Sequence, residues 1–422
     1  MLDLKYILTN PDEVRTNCRD RDVAVDVDRL LALAGERSDL IQARDNLRAE
    51  QNAAAKAIGK AAPADRPRMI EESNRLKAAI ATAEADAERV EAELFALVRL
   101  VPNRSHPASP RGGEDASAEI RRWGTPRAFD FPPKDHVVLS EALDLIDFAG
   151  GTKVAGRNFY FLKNEAVLLE LALVRFAIDR LMARGYTPAT TPDVAKLEVL
   201  DGVGFNPRGE ESQIYTVEGT DLGLIATAEI TLGGLLQNEI LPAEALPLKF
   251  VGVSHCFRRE AGAYGKVSRG LYRVHQFTKI EMFAFTRPED SEATHLEMLA
   301  AEEELNQALG LPYRVLEIAT GDLGGPAYRK FDIEAWMPGR EAYGEVTSTS
   351  NCTDYQSRRL GIRFRRDQKA KPELVHTLNG TAIAVSRTLL AILETYQQAD
   401  GSIVVPEVLR PWVGRDRIGP RG

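Results

Sequence analysis

Between Cys256 and Phe285 the chain reads CFRREAGAYGKVSRGLYRVHQFTKIEMFAF, with arginines and glutamates set inside what is otherwise strand composition. Alternation along a strand places Cys256, Arg258 and Glu260 on one face, and Arg273, His275, Phe277, Lys279 and Glu281 on one face of the returning strand. Val274, Ile280 and Met282 fall on the opposite, core-like face, and the glycine-rich AGAYGKVSRG joins the two runs. Charge half-buried in a sheet is costly unless it is partnered. This face is therefore either a salt-bridge lattice or a pocket for a charged ligand, and Phe277 among the charges favours a ligand with a flat ring and phosphates.

Two further stretches carry charge into apolar surroundings. In TLNGTAIAVSRTLLAILE the helix beginning near Ala382 is apolar around most of its circumference, yet it contains Arg387. That guanidinium needs an anion, either on a ligand or on an internal carboxylate such as Glu345 or Glu281. TGDLGGPAYRKFDIEAWMP and YGEVTSTSNCTDYQSRR read as another strand pair, whose polar face includes Glu345, Ser348 and Asn351. Taken alone, Ser348 reads as a hydrogen-bonded strand residue. No GxxxxGK[ST] occurs, and GTKVAG does not fit the dinucleotide fingerprint, so any bound phosphate falls to arginine side chains.

Short β-rich runs and helices that do not alternate regularly predict an α+β domain with a predominantly antiparallel sheet and flanking helices. Ahead of it, Asp28 to Ile58 has helix composition, with Leu33, Leu40, Leu47 and Ala54 recurring every seven residues. After GKAAPADRP, a second seam runs through Leu76, Ile80, Ala83, Ala87, Val90, Leu94, Leu97 and Val101. Two helices of about 45 to 50 Å joined by so short a link return antiparallel, as a coiled-coil arm. The first seam also contains Arg37, Arg44 and Gln51, which suits either a solvated flank or a polyanion-binding face. VPNRSHPASPRGGED ends the arm and sets a domain boundary near residue 114.

Composition narrows the class. A 422-residue chain that is 44% hydrophobic and 27% charged is an ordinary globular protein with room for two or three domains. The longest apolar stretch, Val167 to Met182, is broken by Glu170, Arg175 and Asp179, and MLDLKYILTNPDEV lacks a secretory pattern. A cytoplasmic location without membrane attachment is expected. Cys18, Cys256 and Cys352 have neither disulfide nor zinc spacing, so no zinc is expected. The net charge of −8 gives no global attraction to nucleic acid, which would need local basic surface.

FRREAGAYGKVSRGLYRVHQFTKIEM resembles motif 2 of the seryl-tRNA synthetases, and TLNGTAIAVSRTLLAILE resembles their motif 3. TAE at Thr227 to Glu229, IRRWG at Ile120 to Gly124, TGDLG, YGEVTSTSN and the pair Arg358 and Arg359 follow in the family's order, so the resemblance covers essentially the whole chain. It implies a class II synthetase catalytic domain over 115–422. Residues 1–114 would then be a tRNA-binding domain whose arm, about 28–101, grips tRNA(Ser) and, where it exists, tRNA(Sec). Motif 1 would be the helix around Ala166 to Met182 with GYTPATTP, placing Pro192 near a homodimer interface. ATP is implied as a substrate with L-serine, and Mg2+ as the cofactor.

The resemblance also implies residue roles. Arg258 bridges the ATP α-phosphate and the serine carboxylate, Glu260 fixes the adenine amino group, and Phe277 stacks on adenine with Arg387 opposite. Arg273 and Val274 complete the ATP site, and Glu345 and Ser348 match the magnesium ligands. Serine is held by Thr227, Ala228, Glu229, Arg258, Glu281, Asn379 and Thr381. Arg258, Arg387 and Glu345 are the expected catalytic groups. Three features depart from the usual pattern: Arg259 stands where serine is common, turned by alternation to the other face; Thr381 adds a methyl where serine is usual; and EDASAEIRRWG lacks the Asn and Val often found before the arginine pair, which bears on the linker contacts. A paralogue that loads something other than tRNA is the nearest alternative; such relatives lack the long arm and use a cysteine-containing zinc site.

Overall fold

The computed structural model describes residues 1–205, 213–260 and 270–419. The chain forms two compact units, Met1–Pro102 and Asn103–Gly422. In the first, α1 (Val27–Lys60) and α2 (Arg66–Leu100) pack along one another. The Asp26 side chain caps α1 by accepting from the Arg29 amide at 2.8 Å, and a proline within the first two positions opens α2. Cross-helix ion pairs Arg29–Glu93, Arg37–Glu91 and Arg48–Glu84 fix the antiparallel sense.

The seam is asymmetric. Along α2, Ile80, Ala87, Val90, Leu94 and Val98 are buried, whereas α1 buries only Val27, Leu30 and Leu33. Leu40, Leu47 and Ala54 are half-buried, alternating with half-buried Arg37, Arg44 and Gln51. The stripe also shifts near the base, passing through Val98 while the expected Leu97 is only half-buried. There Leu2, Ile7, Val14 and Cys18 of the N-terminal segment join the core, so the face to be covered widens beyond a two-helix seam.

The second unit is built on an eight-stranded sheet. Its strands are β1 (Ala118–Trp123), β2 (Thr187–Thr190), β3 (Leu248–Phe257), β4 (Gln276–Thr286), β5 (Tyr313–Glu317), β6 (Arg329–Met337), β7 (Ala342–Thr353) and β8 (His376–Ala384). The order is β1-β5-β6-β7-β8-β4-β3-β2. Every pairing is antiparallel except β2 with β3. Among the described residues the longest helices packed on it are α3 (Glu165–Ala183), α4 (Ser291–Ala308) and α5 (Val385–Thr395). The Pro- and Gly-rich segment after Pro102 is tied to this unit, for the Asn103 amide donates to Pro326 O at 2.8 Å and Cys352 O at 2.9 Å, and Pro110 O accepts from the Thr320 amide.

The charged hairpin is shorter than alternation predicts. Its ladder runs from Leu248 opposite Phe285 to Phe257 opposite Gln276, which leaves Arg258, Glu260, Arg273, Val274 and His275 beyond the strands. Glu260 has φ near +51°, a left-handed conformation that ends strand alternation there. Residues 261–269 of the glycine-rich joining loop lie outside the described residues.

Candidate active site

One cavity of about 270 Å³ opens over the face made by β4, β7 and β8, capped at one end by α5. A strictly pleated β7 would put Glu345 and Ser348 on opposite faces, because they are three residues apart. A β-bulge prevents this. Thr347 pairs with Ile333 and Glu345 with Glu334, so Val346 is extra and both oxygen-bearing side chains reach the cavity. A second bulge, at Ala382, keeps Ala384 in phase with Thr381 as β8 runs into α5.

Arg387, on the first turn of α5, points into this space. Its guanidinium lies 3.1 Å from the Glu345 carboxylate and donates to Glu345 O at 3.1 Å and Tyr272 O at 3.2 Å. The internal carboxylate is therefore Glu345, although Arg387 still faces the cavity. Burial pushes the Glu345 carboxyl up, but Arg387, Lys330 and Arg258 outweigh that and hold it well below the usual carboxylate range. Arg258 donates to Ala226 O at 3.3 Å and lies over the Phe277 ring at 5.3 Å. Glu260 accepts from Arg273 at 2.6 Å.

The other end of the cavity is acidic. Thr227 caps the short helix Ala228–Gly234 by accepting from the Glu229 amide, which turns Glu229 inward. Glu229 accepts from Gln356 at 2.7 Å and from Asn379 at 3.0 Å. Glu281 is 1% exposed, lies 2.6 Å from the Lys279 ammonium and accepts from Thr381 at 3.3 Å. Burial, reinforced by the charge on Glu281, raises the Glu229 carboxyl to about 7 against the opposing pulls of Gln356, Lys279 and Arg258. The groups are partly paired with each other, but they enclose a cavity rather than closing on themselves.

Of the residues singled out from the sequence, Arg258, Glu260, Arg273, Val274, Phe277, Glu345, Ser348, Arg387, Thr227, Glu229, Glu281, Asn379 and Thr381 all line this cavity. Ala228 does not. Its methyl is fully buried and packs over Gly252, while its neighbours on either side face inward. Asn351 points away as well, because no bulge separates it from Ser348, and it accepts from the Thr353 amide. His275 is spent on the Arg258 carbonyl at 2.8 Å and on the ring of Phe159, and Cys256 is fully buried beside Ser254. Lys279, placed on the site face by alternation, lines the cavity too, whereas Lys330, Tyr272 and Gln356 carried no expectation from the sequence. Lys330 alternates with Asp332 and Glu334, a signal of the kind that marked the first hairpin. Nothing local marks Gln356, which reaches Glu229 across more than a hundred residues of chain.

Glu345 and Ser348 supply hard oxygen donors on one face, a set that fits Mg2+ with water and phosphate completing its shell. Among the described residues no group of three or more His, Cys, Asp or Glu side chains is placed to hold a metal ion. No helix among them is long and apolar enough to cross a membrane.

Comparison with known proteins agrees along the whole chain. Residues 1–104 match the seryl-tRNA synthetase N-terminal domain, and residues 215–396 match the class II tRNA synthetase core domain shared by the G, H, P, S and T enzymes. The serine-tRNA ligase of Rubrobacter xylanophilus is 59% identical, covering 100% of this chain and 99% of the relative. That of Treponema denticola is 52% identical, covering 99% of this chain and 100% of the relative. The seryl-tRNA synthetase of Pyrococcus horikoshii, solved with ATP, superposes with a TM-score of 0.92 at 41% identity, over 100% of both chains. The cytoplasmic enzyme of Naegleria fowleri, solved with AMP, gives 0.87 at 34% identity, over 100% of this chain and 99% of the other. The fold, the two matched domains and the full-length identity place this chain in the seryl-tRNA synthetase family of class II aminoacyl-tRNA synthetases.

Proposed function

We propose that this cavity joins L-serine to ATP, forming seryl-adenylate and pyrophosphate, and that the enzyme then passes serine to the 3′ end of tRNA(Ser) and, where it exists, tRNA(Sec). The observation that carries the residue roles is the bulge at Val346, which sets Glu345 and Ser348 beside Arg258 and Arg387 at one end of a cavity whose other end holds Glu229, Glu281 and Thr381. One end suits phosphates; the other suits an ammonium and a hydroxyl.

A serine carboxylate is already ionised at neutral pH, so the first step needs no general base. It needs two anions aligned and the added charge at phosphorus stabilised. The carboxylate oxygen attacks the α-phosphorus, the bond from that phosphorus to the bridging oxygen breaks, and the electron pair leaves with pyrophosphate. Arg258 bridges the carboxylate and the α-phosphate, a task for a planar fork rather than a point charge. Phe277 and Arg387 enclose adenine, Glu260 and the Val274 backbone hold its edge, and Arg273 and Arg387 reach the phosphate tail. Glu345 and Ser348 would hold Mg2+, which when bound neutralises charge on the phosphates. Thr227, Glu229, Asn379 and Thr381 surround serine with Glu281, and the hydroxyl they satisfy is missing from alanine. A site built for a hydroxyl rejects the analogue without one by roughly 10⁴-fold.

The same reading makes the protein a cytoplasmic homodimer through α3, whose outer face leaves Val167, Leu171 and Met182 exposed, Leu171 at 61% and Met182 at 51%. The test is pyrophosphate exchange into ATP with serine, threonine and alanine supplied in turn. Exchange should depend on serine and fall by about 10³-fold in Arg258→Ala. Exchange that survives this change, or that alanine supports equally, overturns the assignment.

A further inference from the structure

A second chamber, about 960 Å³ in volume, adjoins the first and shares Tyr272, Arg273, Lys330, Glu345 and Arg387 with it. Most of its cations are occupied. Lys330 lies 3.2 Å from Asp332, Arg314 bonds Glu334 at 2.6 Å, Arg273 bonds Glu260, and Arg387 pairs with Glu345. Arg340 is different. It is exposed, has no carboxylate partner among the described residues, and rests its guanidinium 4.1 Å from the centre of the Tyr272 ring. Arg387 lies against the same ring at 4.8 Å.

Two cations gathered on one aromatic ring repel each other unless an anion sits near both. The arrangement is built in from several sides. Gly344 leaves room for the ring, since a Cβ there would come 3.0 Å from it. The turn Pro338–Arg340 is anchored by the Gly339 amide, which donates to Glu394 at 2.8 Å. The other oxygen of Glu394 accepts from the His136 ring at 2.8 Å, and His136 accepts in turn from the Leu271 amide at 3.0 Å. Glu394 and His136 are buried, so α5 carries Arg387 itself and, seven residues on, the carboxylate that ties the Arg340 turn to the segment bearing Tyr272.

We infer that Arg340 binds the terminal phosphates of the nucleotide and the pyrophosphate that leaves, with Tyr272 as the shelf that aligns it with Arg387. At about 270 Å³ the first chamber falls just below the volumes that enclose a ligand, roughly 300–1,000 Å³, so a triphosphate seated there must extend into the second. This rests on the proposed adenylate chemistry and adds a residue to it.

The test compares full-length wild-type protein with Arg340→Ala and Arg340→Lys. In Arg340→Ala the KM values for pyrophosphate and ATP should rise by about tenfold, the size of one charge-assisted contact at a half-open site. The KM for serine and the Kd for AMP, which lacks the terminal phosphates, should stay as they are, and Arg340→Lys should recover part of the loss. Unchanged pyrophosphate and ATP constants overturn the role of Arg340, as does an equal weakening of AMP. Lack of serine-dependent exchange in the wild-type protein overturns instead the activity on which the role depends.

Discussion

The arm and the catalytic cavity are both rich in arginine and glutamate, yet they use the pairs differently. On the arm, Arg29, Arg37 and Arg48 each bridge to a glutamate of the other helix, in the open or half-open. Such pairs contribute about 0.2–1 kcal/mol each and mainly keep two long helices in register. In the cavity, Lys279 and Glu281 are almost fully buried, and Arg387 meets Glu345 beside a space that a ligand can enter. There the cost of desolvation has already been met in folding, and the remaining bonding capacity is left for what arrives. Arginine content alone does not separate a scaffold from a site; enclosure does.

The largest effect that sharpens this contrast comes from shortening the arm. Removing residues 38–86 and closing the helix ends with a short loop keeps the basal core of Leu30, Leu33, Leu94 and Val98. Charging of tRNA(Ser) should be lost while pyrophosphate exchange stays within a few-fold of wild type. Charging that persists would deprive the arm of its proposed task. A smaller effect comes from Glu229. Its carboxyl is raised to about 7 in the free protein, so below that pH a proton must leave before a serine ammonium can bind. The KM for serine should fall by about tenfold between pH 6 and pH 8, and Glu229→Gln should raise KM and flatten the profile. A slope that is unchanged in Glu229→Gln points to another group. The smallest effect is expected on the arm surface, where Arg29→Ala should cost less than about 1 kcal/mol in denaturant unfolding and leave exchange untouched. A large loss there would mean that the arm pairs are not the weak clasps their exposure implies.

What the sequence could reveal followed range. The arm was legible because its signal repeats locally, and the departures arose where other segments join: Val98 is buried in place of Leu97 where the N-terminal segment widens the base. Much of the cavity was legible through alternation and the family resemblance, which together marked fourteen of its lining residues. Alternation failed where the backbone leaves the pleat. It could not anticipate the left-handed Glu260 or the extra residue at Val346. Strict alternation pairs Asn351 with Glu345 and excludes Ser348; the three positions share a face only if two bulges intervene, and one does. Contacts such as Gln356 with Glu229 depend on the closed fold and have no local signature.

The surplus residue at Val346 makes strand parity a hidden variable of the chemistry. Excising that single valine would alter no side chain proposed to touch ATP or serine, yet it would turn either the acid or the hydroxyl toward the packed underside of the sheet. Counting residues between the two oxygen donors is therefore as informative about a relative's competence as asking whether both donors are there.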